Sequence, residues 1–342
     1  MNSKWQAYIE RRGGHLEPSH RSVFYRDPEP PVTGLPANFV IPCSEEVVLS
    51  CTGKDTIEFL QSQLTCDLRN LSENQFLLGA YCNPKGRVLA SLRLYRTAEA
   101  IQLVTHHSVA DALLSRLRMY VLRADVMITH SEETAIMCVG GFDIQDILAS
   151  TSDVHACSAF GSDIAQGAES GPFPCTLVTG RSDDLATCWS SLPTDPVPLG
   201  SDYWSLLQIQ KGIPSVTDST SGLFTPQNIN LDLIDAVSFK KGCYPGQEIV
   251  ARMRYLGKVK QRMVRGRSSQ SSAFLPGEAI YADESGAKSG TVVSSAILED
   301  RPSELLMSVS DFQETDTPYH AKEPGGPEIR RLKLPYNISE SR

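Results

Sequence analysis

The residues best placed for chemistry lie in one run, Lys240-Lys241-Gly242-Cys243-Tyr244-Pro245-Gly246-Gln247-Glu248. Two glycines and a proline enforce a tight, open backbone, and Gln247 to Tyr255 then reads as a helix. Cys243 therefore falls just before a helix N-terminus, with lysines on one side and Arg252 and Arg254 beyond. Helix-start amides and nearby cations favour thiolate over thiol, which makes a nucleophile, a redox group or a metal ligand. The competing reading is a buried, inert cysteine, since free Cys packs as a small hydrophobe.

The same segment carries the charge anomaly of the chain. From Lys240 to Arg267 nine basic residues (Lys240, Lys241, Arg252, Arg254, Lys258, Lys260, Arg262, Arg265, Arg267) face the single acid Glu248, within a protein of net charge -8. An anionic body with one cationic strip draws an anion to a chosen place. The alternative is that the strip pairs with the protein's own carboxylates. Whole-surface nucleic-acid binding does not suit a net charge of that sign.

The other cysteines, at 43, 51, 66, 82, 138, 157, 175 and 188, form no C-x-x-C pair, and the histidines form no H-x-x-x-H. Neither a disulfide framework nor a local metal cassette is expected. The N-terminus has no apolar leader, and no run approaches the ~20 apolar residues of a membrane helix. Cytoplasm is the expected compartment, with no membrane contact.

The run Phe239 to Glu248, followed by Val250-Ala251-Arg252, resembles the signature of the YgfZ-type folate-binding proteins, relatives of the glycine-cleavage aminomethyltransferase. Gly212-Ile213-Pro214 and Phe224-x-Pro226-Gln227-x-x-Asn230-Leu231 agree at matching spacing, and the likeness spans about residues 45 to 335. The resemblance implies an α+β fold: a three-subdomain aminomethyltransferase-like cloverleaf around a central folate-binding hole, with a C-terminal small β-barrel. It also implies tetrahydrofolate or another folate, a role in iron–sulfur assembly or repair, and a tRNA-thiomethylating radical enzyme as partner. The motif cysteine, needed for function in that family, falls on Cys243 beside Lys241, and a Trp at the place of Trp204 lines the folate site. Gly242, Tyr244, Gly246, Gln247, Glu248 and Arg252 complete the motif.

Three departures stand against the family pattern. The aminomethyltransferases place a carboxylate pair on the strand after the hairpin, where Val88 to Leu94 here contains no acid and Leu89 and Ala90 stand instead. Aminomethyl transfer, which needs such a group, is therefore not expected. Gln210 replaces a Glu two residues before Gly212, which trades a charge-assisted pair for one amide acceptor and weakens the hold on a pterin. Glu46 and Val47 occupy the place of a second Trp. Gln227 and Asn230, in a loop of turn-forming residues, could bond a heterocycle or cap turns. With Lys241, Arg252 and Arg254 near Cys243, the strip suits a polyglutamyl folate tail or a weak tRNA contact.

The 342 residues, 41% apolar and 21% charged, suit two or three packed units. Residues 1–40 read as an arm, ordered only if something packs on it, and 41–200 as an α+β body of two interleaved subdomains. Residues 201–262 complete that body and 263–342 form the β-barrel. Expected elements include a helix opened by an Asp55-x-x-Glu58 capping box with Ile57, Leu60 and Leu64 inward. A hairpin around Asn83-Pro84-Lys85-Gly86 follows, then a helix opened by Ser108-x-x-Asp111 and another near Phe142 to Leu148. A loop over 150–172, a helix over Asp183 to Leu192, a linker at Pro193 to Gly200 and a helix over Asp202 to Lys211 complete the body.

Overall fold

The computed structural model describes residues 2–17, 21–25, 35–71, 76–142, 147, 154–158, 175–268, 271–282, 286–298, 301–313 and 318–338. The N-terminal residues do find a packing partner. Helix α1 (Ser3–Arg11) leads into an antiparallel hairpin of β1 (Gly14–Glu17) and β2 (Ser22–Tyr25). Trp5 and Ile9 are buried, and the Trp5 ring lies 6.2 Å from that of Trp189. Strand β3 (Phe39–Pro42) then enters a sheet completed much later in the chain.

The first complete sheet runs β5-β6-β7-β4-β8, from β4 (Glu46–Thr52), β5 (Leu77–Cys82), β6 (Val88–Arg96), β7 (Ile101–His106) and β8 (Met127–His130). Residues of alternate parity point to opposite faces. One face, with Leu49, Leu92 and Leu103, packs beneath α2 (Thr56–Gln63) and α3 (His107–Val121); the other, with Val48, Val88 and Val104, joins the central core. The Asp55 capping box does not form. The Asp55 carboxylate instead accepts from the Asp125 backbone N–H at 2.8 Å, tying α2 to the loop before β8. Ile57 is exposed, whereas Phe59 and Leu60 face inward. Helix α3 is capped by His106, not opened by Ser108-x-x-Asp111; the Asp111 carboxylate turns to His130, 2.7 Å away.

The second sheet runs β10-β11-β9-β3-β12, adding β9 (Thr134–Gly140), β10 (Val154–Ser158), β11 (Cys175–Arg181) and β12 (Val197–Pro198). Its outer face packs on α1 and α4 (Ser182–Ser190) through Met137, Val139, Val178 and Trp189. Two expectations are corrected. Val154–Ser158 is a strand paired to β11, where a loop was read from small residues alone. Pro193 to Gly200 is not a free linker, because Val197 and Pro198 pair in parallel with β3 and Leu199 is buried. The helix read near Phe142 to Leu148 lies, apart from Phe142 and Ile147, outside the described residues.

Helix α5 (Ser201–Gln210), the segment around Pro226–Ile229 and helix α6 (Gln247–Tyr255) bridge both sheets and the barrel. The barrel closes in the order β13-β16-β15-β14-β17-β18, from β13 (Arg262–Ser268), β14 (Ala279–Tyr281), β15 (Lys288–Ala296), β16 (Glu304–Val309), β17 (Tyr319–Ala321) and β18 (Glu328–Leu332). One hydrophobic core holds Ile41 and Cys138 of the second sheet, Val48 and Val104 of the first, Trp204 and Leu207 of α5, and Met263 and Leu306 of the barrel. Three lobes therefore meet at one centre.

Candidate functional site

Two places carry chemistry: the loop that presents Cys243, and a narrow crevice among the lobes. The loop is set by glycine. Gly246 has φ +82°, and a Cβ there would stand 2.5 Å from the Asn83 carbonyl oxygen and 2.6 Å from the Gly86 Cα. The motif thus presses backbone to backbone on the β5–β6 hairpin turn, which only two glycines permit. Tyr244 is buried beneath the loop, and its N–H donates to Gln247 Oε1 at 3.3 Å. Helix α6 follows as read, with Val250 buried and Glu248, Arg252 and Arg254 outside.

Cys243 and Gly242 are exposed. Among the other cysteines whose side chains are described, Cys175 is half-buried and the rest are buried. Lys241 takes the opposite direction. Its ammonium donates to the carbonyl oxygens of Leu64 (2.8 Å) and Cys66 (2.6 Å) and lies 5.7 Å from the Tyr244 ring. Burial lowers its pKa to about 8, with the Cys66 and Asp67 side chains opposing. The expectation of Lys241 as a partner of the thiol is corrected: a half-apolar stem reaching a layer of carbonyls puts the cation inside.

The basic strip divides by the same logic. Arg262 is buried and bidentate to Asp232 at 2.6 and 3.1 Å, and Arg265 and Arg267 share the buried Glu304 at 2.7 and 2.8 Å. Lys240, Arg252, Arg254, Lys258 and Lys260 are exposed, Arg254 stacked 4.2 Å from the Phe239 ring. The pairing reading holds for Arg262, Arg265 and Arg267, and these other five cations stand in solvent.

The crevice lies among β6, β7 and the C-terminal end of α5, and Glu46, Ser91, Arg93, His106, Gln208 and Ile213 are on its walls. Arg93 is buried between Leu92 and Leu94 of β6. Its Nη2 donates to Gln208 Oε1 at 2.7 Å, its Nη1 lies 3.8 Å from Glu46 Oε1, and its guanidinium lies 5.0 Å from the Trp204 ring. Trp204 Nε1 donates to the same Glu46 oxygen at 3.3 Å. Among the described residues Arg93 Nε has no partner. Burial lowers the Arg93 pKa and takes His106 down to about 4, so the imidazole is neutral at pH 7. The space wide enough for water is about 10 Å³, room for about one molecule.

Several residues expected to bind the ligand are not on the crevice wall. Gln210 is half-buried, and it is Gln208, about 200° away around the helix, that lines the crevice. Trp204 sits behind Glu46 and Arg93 rather than on the wall. Gln227 Nε2 donates to the Val250 carbonyl at 2.8 Å. The Asn230 amide spans Met263, donating to its carbonyl at 2.8 Å and accepting from its N–H at 3.1 Å. The Asn230 amide thus fastens the barrel to the body and the Gln227 amide holds helix α6, while Gln227 Oε1 has no partner among the described residues. Glu46, Arg93 and Gln208 were missed; a charged residue flanked by Leu92 and Leu94 was the available signal, since such a group needs a partner.

No family model matches the chain. Among curated relatives, the tRNA-modifying protein YgfZ of Colwellia psychrerythraea is 31% identical over 258 residues, covering 73% of this chain and 78% of its own. The chain belongs to the YgfZ family. The YgfZ protein of Escherichia coli O45:K1 is 28% identical over 84% of this chain and 90% of its own, and that of Sodalis glossinidius 27% over 92% and 98%. The glycine cleavage system aminomethyltransferase T from Bartonella henselae superimposes with TM-score 0.73 at 15% identity, over 98% of this chain and 97% of that one. This YgfZ-family chain therefore has the aminomethyltransferase fold. No helix among the described residues is long and apolar enough to cross a membrane, and no described cluster of three His, Cys, Asp or Glu could hold a metal.

Proposed function

We propose that this chain is a folate-binding accessory protein that supports tRNA modification and iron–sulfur maintenance, acting through Cys243 in the cytoplasm. The observation that carries the reading is the exposure of Cys243 on a loop fixed by the Gly246–Gly86 contact. A thiol presented this way reaches a partner protein's cluster or substrate, while the buried thiols cannot.

Folate is assigned to the crevice. Gln208 and the unpartnered Arg93 Nε supply an acceptor, a donor and a positive charge of the kind a pterin edge uses. The polar groups suit a ring edge, but the space of about 10 Å³ does not hold the ring itself. The exposed Arg252 and Arg254 would then meet an anionic tail near the motif. Glu46 is the carboxylate on the crevice wall, and Trp204 and Arg93 already engage it. A free carboxylate for amine chemistry is what a transferase needs, so the transferase reading is disfavoured.

A second reading, direct tRNA contact, draws on the exposed Lys240, Arg252, Arg254, Lys258 and Lys260. It expects affinity for tRNA to fall steeply with salt. The test of the main reading is complementation of a strain lacking its own YgfZ. The chain is expected to restore thiomethylated tRNA and iron–sulfur enzyme activity, and Cys243→Ala to restore neither. Equal rescue by both would overturn it.

A further inference from the structure

The outward side of α6 carries apolar groups that the described residues leave in solvent. Ile249 and Leu256 are 40% and 86% exposed. With the half-buried Met253 they fall at i, i+4 and i+7, one stripe along the helix and just past its end. Leu223, 46% exposed, widens the stripe. Its carbonyl accepts from Arg87 Nη1 at 2.6 Å, and a Cβ on the preceding Gly86 would stand 3.1 Å from the Ile249 Cβ. Leu223 and Ile249 thus flank consecutive residues of the β5–β6 turn. Thr225 Oγ1 donates to Met253 Sδ at 3.8 Å, which holds the Leu223 segment against the helix.

Exposed cations border the stripe. Lys85 and Arg87 stand on the turn, Arg252 lies on α6 beside Ile249 and Met253, and Lys258 follows Leu256. Glu248 is the one acid on the helix. A single exposed leucine is ordinary, whereas a connected apolar stripe marks a surface that another molecule covers. An apolar centre inside a charged rim is the anatomy of a protein–protein interface. Contacts to phosphate use the cations and have no need of Leu223, Ile249 and Leu256.

We propose that this stripe is the docking face for the protein client that Cys243 serves, and that the client presents an acidic surface with an apolar centre. The inference rests on the accessory reading above and adds the partner's chemistry. Charge complementarity selects the occupant: four exposed cations against one acid draw in an anionic surface, and the apolar centre then holds it. The placement agrees. Gly246, pressed on Gly86, lies three residues after Cys243, so at most about 11 Å of chain separates the thiol from the turn. A client seated on the stripe lies beside the sulfur.

The test is the same complementation, run with serine variants expressed at the level at which wild type rescues. Ile249→Ser combined with Leu256→Ser removes two exposed apolar groups and no charge. The pair is expected to lower thiomethylated tRNA and iron–sulfur enzyme activity about tenfold, leaving the Cys243 alkylation rate and the affinity for bulk tRNA unchanged. About tenfold more protein is expected to recover the rescue, as mass action requires of a weakened complex. Leu256→Glu alone, at an 86% exposed position, is expected to act in the same direction and keeps the test standing should the pair fail to fold. Full rescue by these variants overturns the proposal, whereas rescue by Cys243→Ala overturns the reading beneath it. Loss of rescue and of tRNA affinity in Arg87→Gln and Arg252→Gln, with the serine pair rescuing fully, would give the face to RNA. A wild-type chain that is dimeric, and monomeric as Leu256→Glu, would give it to a second copy. Either of these results also overturns the proposal.

Discussion

The Lys241 ammonium meets the Cys66 carbonyl oxygen at 2.6 Å beneath the motif loop, with the Leu64 carbonyl 2.8 Å away on the same cation. Two residues later the chain emerges and Cys243 stands in solvent. The adjoining positions therefore divide the work: the lysine fastens the loop to the end of α2, and the cysteine is presented.

Lys241→Met keeps the stem and removes the ammonium, leaving two inward carbonyls without their donor. Each such group costs about 1–3 kcal/mol, and solvent entry recovers part of it. A net loss of about 2 kcal/mol in urea unfolding is expected. An unchanged midpoint would show that the two hydrogen bonds carry no net weight.

The two motif glycines are expected to behave oppositely. Gly246→Ala forces a Cβ into the Asn83 and Gly86 backbone at φ +82°, whereas nothing lies within 4 Å of a Cβ at Gly242. Gly246→Ala is expected to destabilise by more than about 2 kcal/mol, Gly242→Ala by less than about 0.5 kcal/mol. Thermal unfolding of the pair measures this, and equal shifts would contradict the packing of the loop on the hairpin turn.

The proposed folate site turns on Gln208 rather than Gln210, because Gln208 is the one of the two on the crevice wall. Tetrahydrofolate titration is expected to weaken about tenfold or more in Gln208→Ala, the equivalent of about 1.4 kcal/mol. Gln210→Glu is expected to change the affinity less than about threefold. The reverse order would place the pterin edge on the other side of α5.

Alkaline pH is expected to destabilise the fold. Burial pushes Cys51, Cys66 and Cys82 each up to about 12 from an ordinary 9.0, so above pH 9 the folded chain keeps protons that the unfolded chain has lost. Stability then falls as pH rises through that window. Lys241 works the other way: lowered to about 8 from 10.5, it relieves a buried charge as pH rises between those values. Lys211, lowered by burial as well, acts in the same direction as Lys241. Cys43 and Cys138, also raised by burial, join the three thiols, and five thiols outweigh two lysines. The urea midpoint is expected to fall from about pH 9 to about pH 11; a rise would contradict the burial of these thiols.

Much of this was legible in the residues. Helix α6, the β5–β6 hairpin and the closing barrel follow from turn residues and apolar periodicity, which act over a few positions. The motif around Cys243 stood out because charge, glycine and thiol coincide there. What stayed hidden was decided over long range. Lys241 looked like a partner for Cys243 because the carbonyls of Leu64 and Cys66 that claim it lie some 175 positions earlier. The Arg93–Gln208 bond spans 115 positions and joins a strand to a helix with no local signal. Gln227 and Asn230 looked like ligand groups until helix α6 and strand β13, respectively, supplied their backbone partners.

The most direct measurement is timed alkylation of the native chain with peptide mapping, run on wild type and on Lys241→Met. Cys243 is expected to label within about threefold of its rate in the unfolded chain, as an exposed thiol should, while Cys51, Cys66 and Cys82 stay unlabelled. The Cys243 rate is expected to be unchanged in Lys241→Met that remains folded. Protection of Cys243 in wild type, or collapse of its rate when the lysine is lost, would contradict the division of labour between the two residues.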